Sequence, residues 1–128
     1  MEHAATSLGE RRAAVLEALC ETIVPGSSRV GPVVYIDAVL GRMDEGGRAA
    51  AIAAIDSLAE VADGGPGALR PLANTPEFML VRALAIEAYY SDFVAPGVDA
   101  EGAWREIGFN SPLATRLNKD WSYLGVVA

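Results

Sequence analysis

The sequence predicts an all-α domain, and three features carry that expectation. Apolar residues recur at three- and four-residue spacing in four separate stretches. Proline and glycine stand between those stretches as helix punctuation, notably at Pro25-Gly26, Gly31-Pro32 and Thr75-Pro76. No long run alternates apolar with polar residues as a half-buried strand would, and no internal repeat is visible. A chain of 128 residues makes one domain, large enough to build a core without disulfide or metal staples. The expected architecture is about five helices and an extended C-terminal arm, with residues 1–6 and 113–128 as flexible or partner-bound ends.

Taken in order, Ser7 and Glu10 have the spacing of a capping box. The helix they open places Leu8, Val15, Leu16, Leu19, Cys20 and Ile23 on one broad face, with Glu10, Glu17 and Glu21 opposite. Pro25-Gly26-Ser27-Ser28 stops it. Pro32 suits a first helical turn, and Ile36, Val39, Leu40 and Met43 continue at helical spacing until Gly46-Gly47 breaks the run. Val30 and residues 33–36 would tolerate a strand, but they do not alternate, so the helix is preferred. Residues 48–62 form an alanine-rich third helix with Ile52, Ile55 and Leu58 on one side.

Asp63-Gly64-Gly65-Pro66-Gly67 reads as a loop, without the spacing or preceding strand of a phosphate-binding motif, and residues 68–72 as a short turn. Thr75 as cap and Pro76 as first residue open a helix reaching about Tyr90. Phe78, Met79, Val81, Leu84, Ala85, Ile86, Tyr89 and Tyr90 cover most of its circumference, so it should be central or face a partner on its second side. Asp99 is placed to cap a short helix containing Ala103, Trp104 and Ile107, which Gly108 ends. Asn110-Ser111-Pro112 is a further turn. The aromatic tail around Leu113, Leu117, Trp121, Tyr123 and Leu124 needs a surface to lie on, its own or a neighbour's.

Composition narrows the function. A net charge of -7 with no Lys/Arg cluster disfavours nucleic acid and anionic membrane. His3 is the only histidine and sits near the end of the chain, which disfavours histidine-centred catalysis; the single Cys20 excludes an internal disulfide and a cysteine metal cluster. Cys20 falls on an apolar face and is expected as a small buried hydrophobe. The acidic residues are scattered singly over helix faces, without calcium-loop spacing. No basic and apolar leader is evident and no apolar run is long enough to span a bilayer, so the expectation is a cytoplasmic protein without direct membrane contact, periplasmic only if a partner carries it. Catalytic, cofactor-binding and metal-ligating residues are therefore not expected in this chain.

What stands out instead is aromatic density. Tyr89, Tyr90, Phe93, Trp104 and Phe109 are five of the nine aromatic residues, packed into less than a quarter of the chain. They make either a core knot or a docking surface. Asp92 is expected as a turn carboxylate accepting backbone N–H groups, with contact to a partner as the alternative. Asp37, inside an apolar helix, is expected to cap or to pair with an arginine. Trp104 reads as a buried or interface anchor, and Trp121 and Tyr123 divide evenly between the two. The partner-interface candidates are thus Tyr89, Tyr90, Asp92, Trp104, Phe109, Trp121 and Tyr123.

Two ordered stretches resemble a known family. Leu19-Cys20-Glu21-Thr22-Ile23-Val24-Pro25-Gly26, with Gly31 and Val34-Tyr35-Ile36-Asp37 after it, resembles the opening of the gluconate 2-dehydrogenase subunit 3 family. Tyr89-Tyr90-Ser91-Asp92, a glycine-containing loop and Ala103-Trp104-Arg105-Glu106-Ile107-Gly108-Phe109 resemble its second signature. Together they span most of the chain, from about Leu16 to Pro112. The resemblance implies a non-catalytic small subunit that partners a large flavoprotein of the glucose-methanol-choline type. That partner would bind the FAD and oxidise a sugar, glycoside or related alcohol. The family's usual twin-arginine export signal has no counterpart: Arg11-Arg12 lies inside the first predicted helix. The second signature ends Gly108-Phe109-Asn110-Ser111-Pro112 rather than in a Gly-Tyr-Pro-Gly pattern, and the middle of the chain is short and alanine-rich. Two other readings compete, a free-standing helical binding or regulatory module and a small enzyme using carboxylates such as Asp92.

Overall fold

A computed structural model describes residues 7–108 and 122–125. The candidates Phe109 and Trp121, the Asn110-Ser111-Pro112 turn and most of the expected arm lie outside those residues. The described chain is all-α, without a strand. Its helices are α1 (Gly9–Ile23), α2 (Pro32–Arg42), α3 (Glu45–Ser57), α4 (Gly65–Leu69), α5 (Pro76–Tyr90) and α6 (Ala103–Glu106), with 3-10 turns between α1 and α2, α3 and α4, and α4 and α5.

Helix α5 is the hub, packing on α1, α2, α3 and α6. Thr75 Oγ1 accepts the Phe78 N–H at 3.2 Å, so the threonine–proline start acts as the sequence predicts. Only one side of α5 is enclosed: Val81, Leu84, Ala85, Ala88 and Tyr89 are buried. With Leu16, Leu19, Ile36, Leu40, Ile55, Leu58 and Phe93 they line the interior. Met79 and Tyr90 remain exposed on the other side of α5, with half-buried Ile86 between them.

The capping expected at Ser7 is not what is found. Leu8 is the N-cap of α1 and no side chain of the local segment caps it. Instead the buried Asp37 of α2 accepts the Ser7 and Leu8 N–H groups through Oδ1, at 2.9 and 3.1 Å. A carboxylate buried inside the α2 face has found its donors at the start of another helix, which satisfies it and sews α1 to α2.

Gly46-Gly47 does not separate two helices. Both lie in the first turn of α3, capped by Asp44, whose Oδ1 accepts the Gly47 N–H at 2.7 Å. A Cβ on Gly47 would stand 2.8 Å from that oxygen, so glycine is what lets the carboxylate close over the turn. Arg48 then reaches back to the carbonyls of Leu40, Gly41 and Met43 at 2.8, 3.2 and 3.0 Å, closing the end of α2. The alanine-rich helix stops at Ser57, earlier than residue 62, and continues as a 3-10 turn over Ala59–Gly64.

The Gly-Gly-Pro-Gly stretch is likewise helical rather than loop. Pro66 takes a first-turn position of α4, where its fixed φ fits and its missing N–H costs nothing. At the far end, the 3-10 turn Ser122–Leu124 packs on α2 and buries Leu124, so part of the expected arm lies on the domain itself. No described helix is long and apolar enough to cross a membrane.

Candidate functional site

Both stretches that carry the family resemblance come together at one end of the bundle. The first supplies the turn after α1 and the start of α2; the second supplies the end of α5, residues 91–102 and α6. Val24, Val30, Tyr89 and Ala103 form a small apolar cluster between them. Ala95 donates its N–H to the Val30 carbonyl at 2.8 Å. Gly31 has φ +70, and a Cβ there would stand 2.7 Å from the Ala95 Cβ, so the close approach of the stretches requires glycine.

The first stretch is shaped by a residue that sequence reasoning left on the solvent face. Glu21 accepts the Gly26 and Ser28 N–H groups at 2.6 and 3.1 Å and the Ser28 hydroxyl at 2.7 Å. These bonds, the Gly26 one foremost, hold its carboxyl below the usual range. The signal available in the sequence was a glutamate one turn before Val-Pro-Gly-Ser-Ser. Ser27 hydrogen-bonds the Cys20 carbonyl at 3.0 Å, and Cys20 itself is buried, as expected. Burial, then the charges of Glu17 and Glu21, push its thiol up to about 12.

From the second stretch, Tyr89 points inward. Its hydroxyl donates to Glu106, and Arg29 binds both that hydroxyl and the Glu106 carboxylate. The guanidinium also lies over the Tyr89 ring, 5.4 Å from its centroid. This three-residue clamp fastens α6 to the turn before α2, across 77 positions of sequence. Hydrogen bonds from Tyr89 and then Arg29 hold the Glu106 carboxyl below its usual range, while desolvation first and Glu106 second raise the Tyr89 phenol.

Asp92 is the second fastening. It is buried and has φ +66, a conformation that aspartate tolerates better than most side chains. Its Oδ1 accepts the Trp104 N–H at 3.0 Å and so caps α6. The expected cap from Asp99 is thus replaced by a residue from the end of α5. Gly102 makes that possible: a Cβ there would overlap Asp92 Oδ1 and stand 2.8 Å from its Cγ. The Trp104 indole N–H donates to the Tyr90 carbonyl at 3.0 Å, tying the half-buried ring to the helix end.

The candidates therefore take different places. Tyr89 and Asp92 are buried supports, and Trp104 is half-buried against the Tyr90 backbone. Tyr90 is 45% exposed, stacked edge-on against Tyr89 with ring centroids 5.0 Å apart. Val98 and Ile107, which sequence reasoning had not singled out as surface groups, are 39% and 61% exposed on the loop and at the end of α6. Tyr123 is exposed and belongs to the turn packed on α2. Near it, Tyr35 donates to Glu87 at 3.2 Å and meets the buried Phe93 edge-on at 5.3 Å. Desolvation, then the Glu87 charge, push the Tyr35 phenol up to about 12.

Glu21, Asp92 and Glu106 are occupied in caps and clamps, and Cys20 is buried. Among the described residues no group of three or more His, Cys, Asp or Glu side chains could hold a metal ion. Comparison with protein-family models, curated proteins and solved structures gives no match to this chain.

Proposed function

We propose that this chain is the non-catalytic small subunit of a large FAD-dependent oxidoreductase of the glucose-methanol-choline type. The observation that supports the reading best is the convergence of the two resembling stretches. Residues far apart in sequence build one locked rim, and the rim leaves Tyr90, Val98 and Ile107 outward. Exposed apolar groups on a rigid frame are what a docking surface needs, because little side-chain and loop entropy is left to lose on association.

In this reading the work is done by packing. The small subunit covers an apolar face of the flavoprotein, excludes water there and shifts the partner's folding equilibrium toward its FAD-binding form by mass action. FAD and the oxidation of a sugar, glycoside or related alcohol belong to the partner. Arg11 and Arg12 lie within α1, where Arg12 forms a two-pronged pair with Asp56 at 2.8 and 3.0 Å, and the reading keeps the complex cytoplasmic.

The test is expression of the adjacent large-subunit gene with and without this chain, followed by size-exclusion chromatography read by flavin absorbance. Co-elution with a flavin-bearing protein is expected. Ile107→Asp and Tyr90→Asp should break co-elution while the variant chains keep wild-type circular dichroism. A flavoprotein that folds, holds FAD and elutes identically without this chain would refute the proposal.

A further inference from the structure

A second surface, joined to the rim's apolar cluster through Ile23, has the make-up of a ligand site. A hollow of about 260 Å³ opens between the end of α1, α4 with the turn after it, and the first half of α5. Leu69, which is buried, and the half-buried Ile23 and Phe78 give it an apolar lining, with Pro66 and Ala73 at its edge. Thr22, Arg70 and Arg82 also line it.

Four of the eight described arginines are held by carboxylates or carbonyls. Arg12 and Arg29 pair with carboxylates, Arg105 lies beside Glu101, and Arg48 is spent on carbonyls. Arg11, Arg42, Arg70 and Arg82 make no side-chain hydrogen bond or ion pair among the described residues, although acidic residues outnumber basic ones by 17 to 10 in the chain, and of these four Arg70 and Arg82 share the hollow. Two unpaired guanidiniums beside one apolar hollow form a local positive site on a protein whose overall field repels anions. The hollow is smaller than the usual ligand pocket of roughly 300–1,000 Å³, which restricts it to a small ligand.

We propose that this hollow binds a small apolar carboxylate, an alkyl or single-ring aryl monocarboxylate. Its hydrocarbon part packs on Ile23, Leu69 and Phe78 while the carboxylate meets Arg70 and Arg82. Guanidinium forks match carboxylate oxygens in geometry and charge, and the lining supplies the apolar contact that a free inorganic anion would not use. The proposal does not depend on the small-subunit reading, because it concerns the chain by itself.

The experiment is a titration of the isotopically labelled full chain with hexanoate and phenylacetate, followed by amide chemical shifts. Hexanol and hexylammonium serve as neutral and cationic counterparts. Saturable shifts at Ile23, Leu69 and Phe78 are expected with the carboxylates, with hexanol at least roughly tenfold weaker and hexylammonium silent. Arg70→Gln and Arg82→Gln should each weaken hexanoate roughly tenfold. Ala73→Phe should obstruct the hollow with both charges kept, and Arg42→Gln, outside the hollow, should change nothing. Because both arginines are exposed and unpaired, their variants should keep the wild-type fold by circular dichroism. Equal binding of hexanol, or unchanged affinity in both arginine variants, would overturn the proposal.

Discussion

Gly102→Ala offers a sharp test of how the rim is held. The new Cβ would overlap Asp92 Oδ1, approach its Cγ to 2.8 Å and its carbonyl oxygen to 3.0 Å. Asp92 is buried between α5 and α6, so its carboxylate must leave the Trp104 N–H for the methyl group to fit. Losing a helix cap costs about 1 kcal/mol. Forcing an extra carbon into a packed site adds about 1–3 kcal/mol. The sum, about 2–4 kcal/mol, should lower the melting temperature by roughly 10 °C in a domain of this size. Asp92→Gly removes the obstructing carboxylate while tolerating φ +66. In that background Gly102→Ala should cost less than about 1 kcal/mol, because only the Asp92 carbonyl remains close. Urea unfolding followed by circular dichroism measures all four members of the cycle. If Gly102→Ala costs the same in both backgrounds, the Asp92 carboxylate does not need the glycine, and the account of the rim fails.

Other outcomes follow from the same structure. Because Glu21 titrates below its unfolded value, its contribution is present above the unfolded pKa and lost as pH falls through the lower folded one. Glu21→Gln should therefore lower stability at neutral pH, and the gap to wild type should close in acid, as read from denaturant curves between neutral pH and about pH 3. The Cys20 thiol, buried and pushed up to about 12, should resist alkylation at pH 8 in the folded protein and react promptly in denaturant, as mass spectrometry would show. Arg48→Ala frees three carbonyls at the end of α2 and should destabilise the domain by about 1–3 kcal/mol in the same unfolding assay.

The sequence made the helix class and the strongest boundaries legible because those are local properties. Thr75-Pro76 opens α5, and α1 ends just before Val24-Pro25. Gly46-Gly47 and Gly65-Pro66-Gly67 look like breaks locally but form first turns of helices, made acceptable by Asp44 and Pro66. What could not be read was partnership at a distance. Nothing near Ser7 points to Asp37 about thirty positions on, and nothing near Tyr89 shows that its hydroxyl meets Arg29 and Glu106. Asp92 was legible as a carboxylate bound to backbone, but nothing near it shows that Trp104, twelve residues away, is one of its donors. The site is therefore only half visible in sequence: its aromatic residues stand out, whereas the division into buried supports and outward groups depends on packing.

Helix α6 has four residues, far below the length at which a helix holds itself together in water. It exists because Asp92 caps it and Arg29 and Tyr89 grip Glu106. Its opening is thus coupled to the end of α5 and the turn before α2. Amide hydrogens in α6 should exchange with solvent only when that end of the bundle loosens, at a rate unrelated to the helix's own length. A short exposed element of this kind would ordinarily fray in microseconds and rezip. Here its lifetime is borrowed from the core, so Ile107 is presented by a segment that opens on the core's timescale rather than its own.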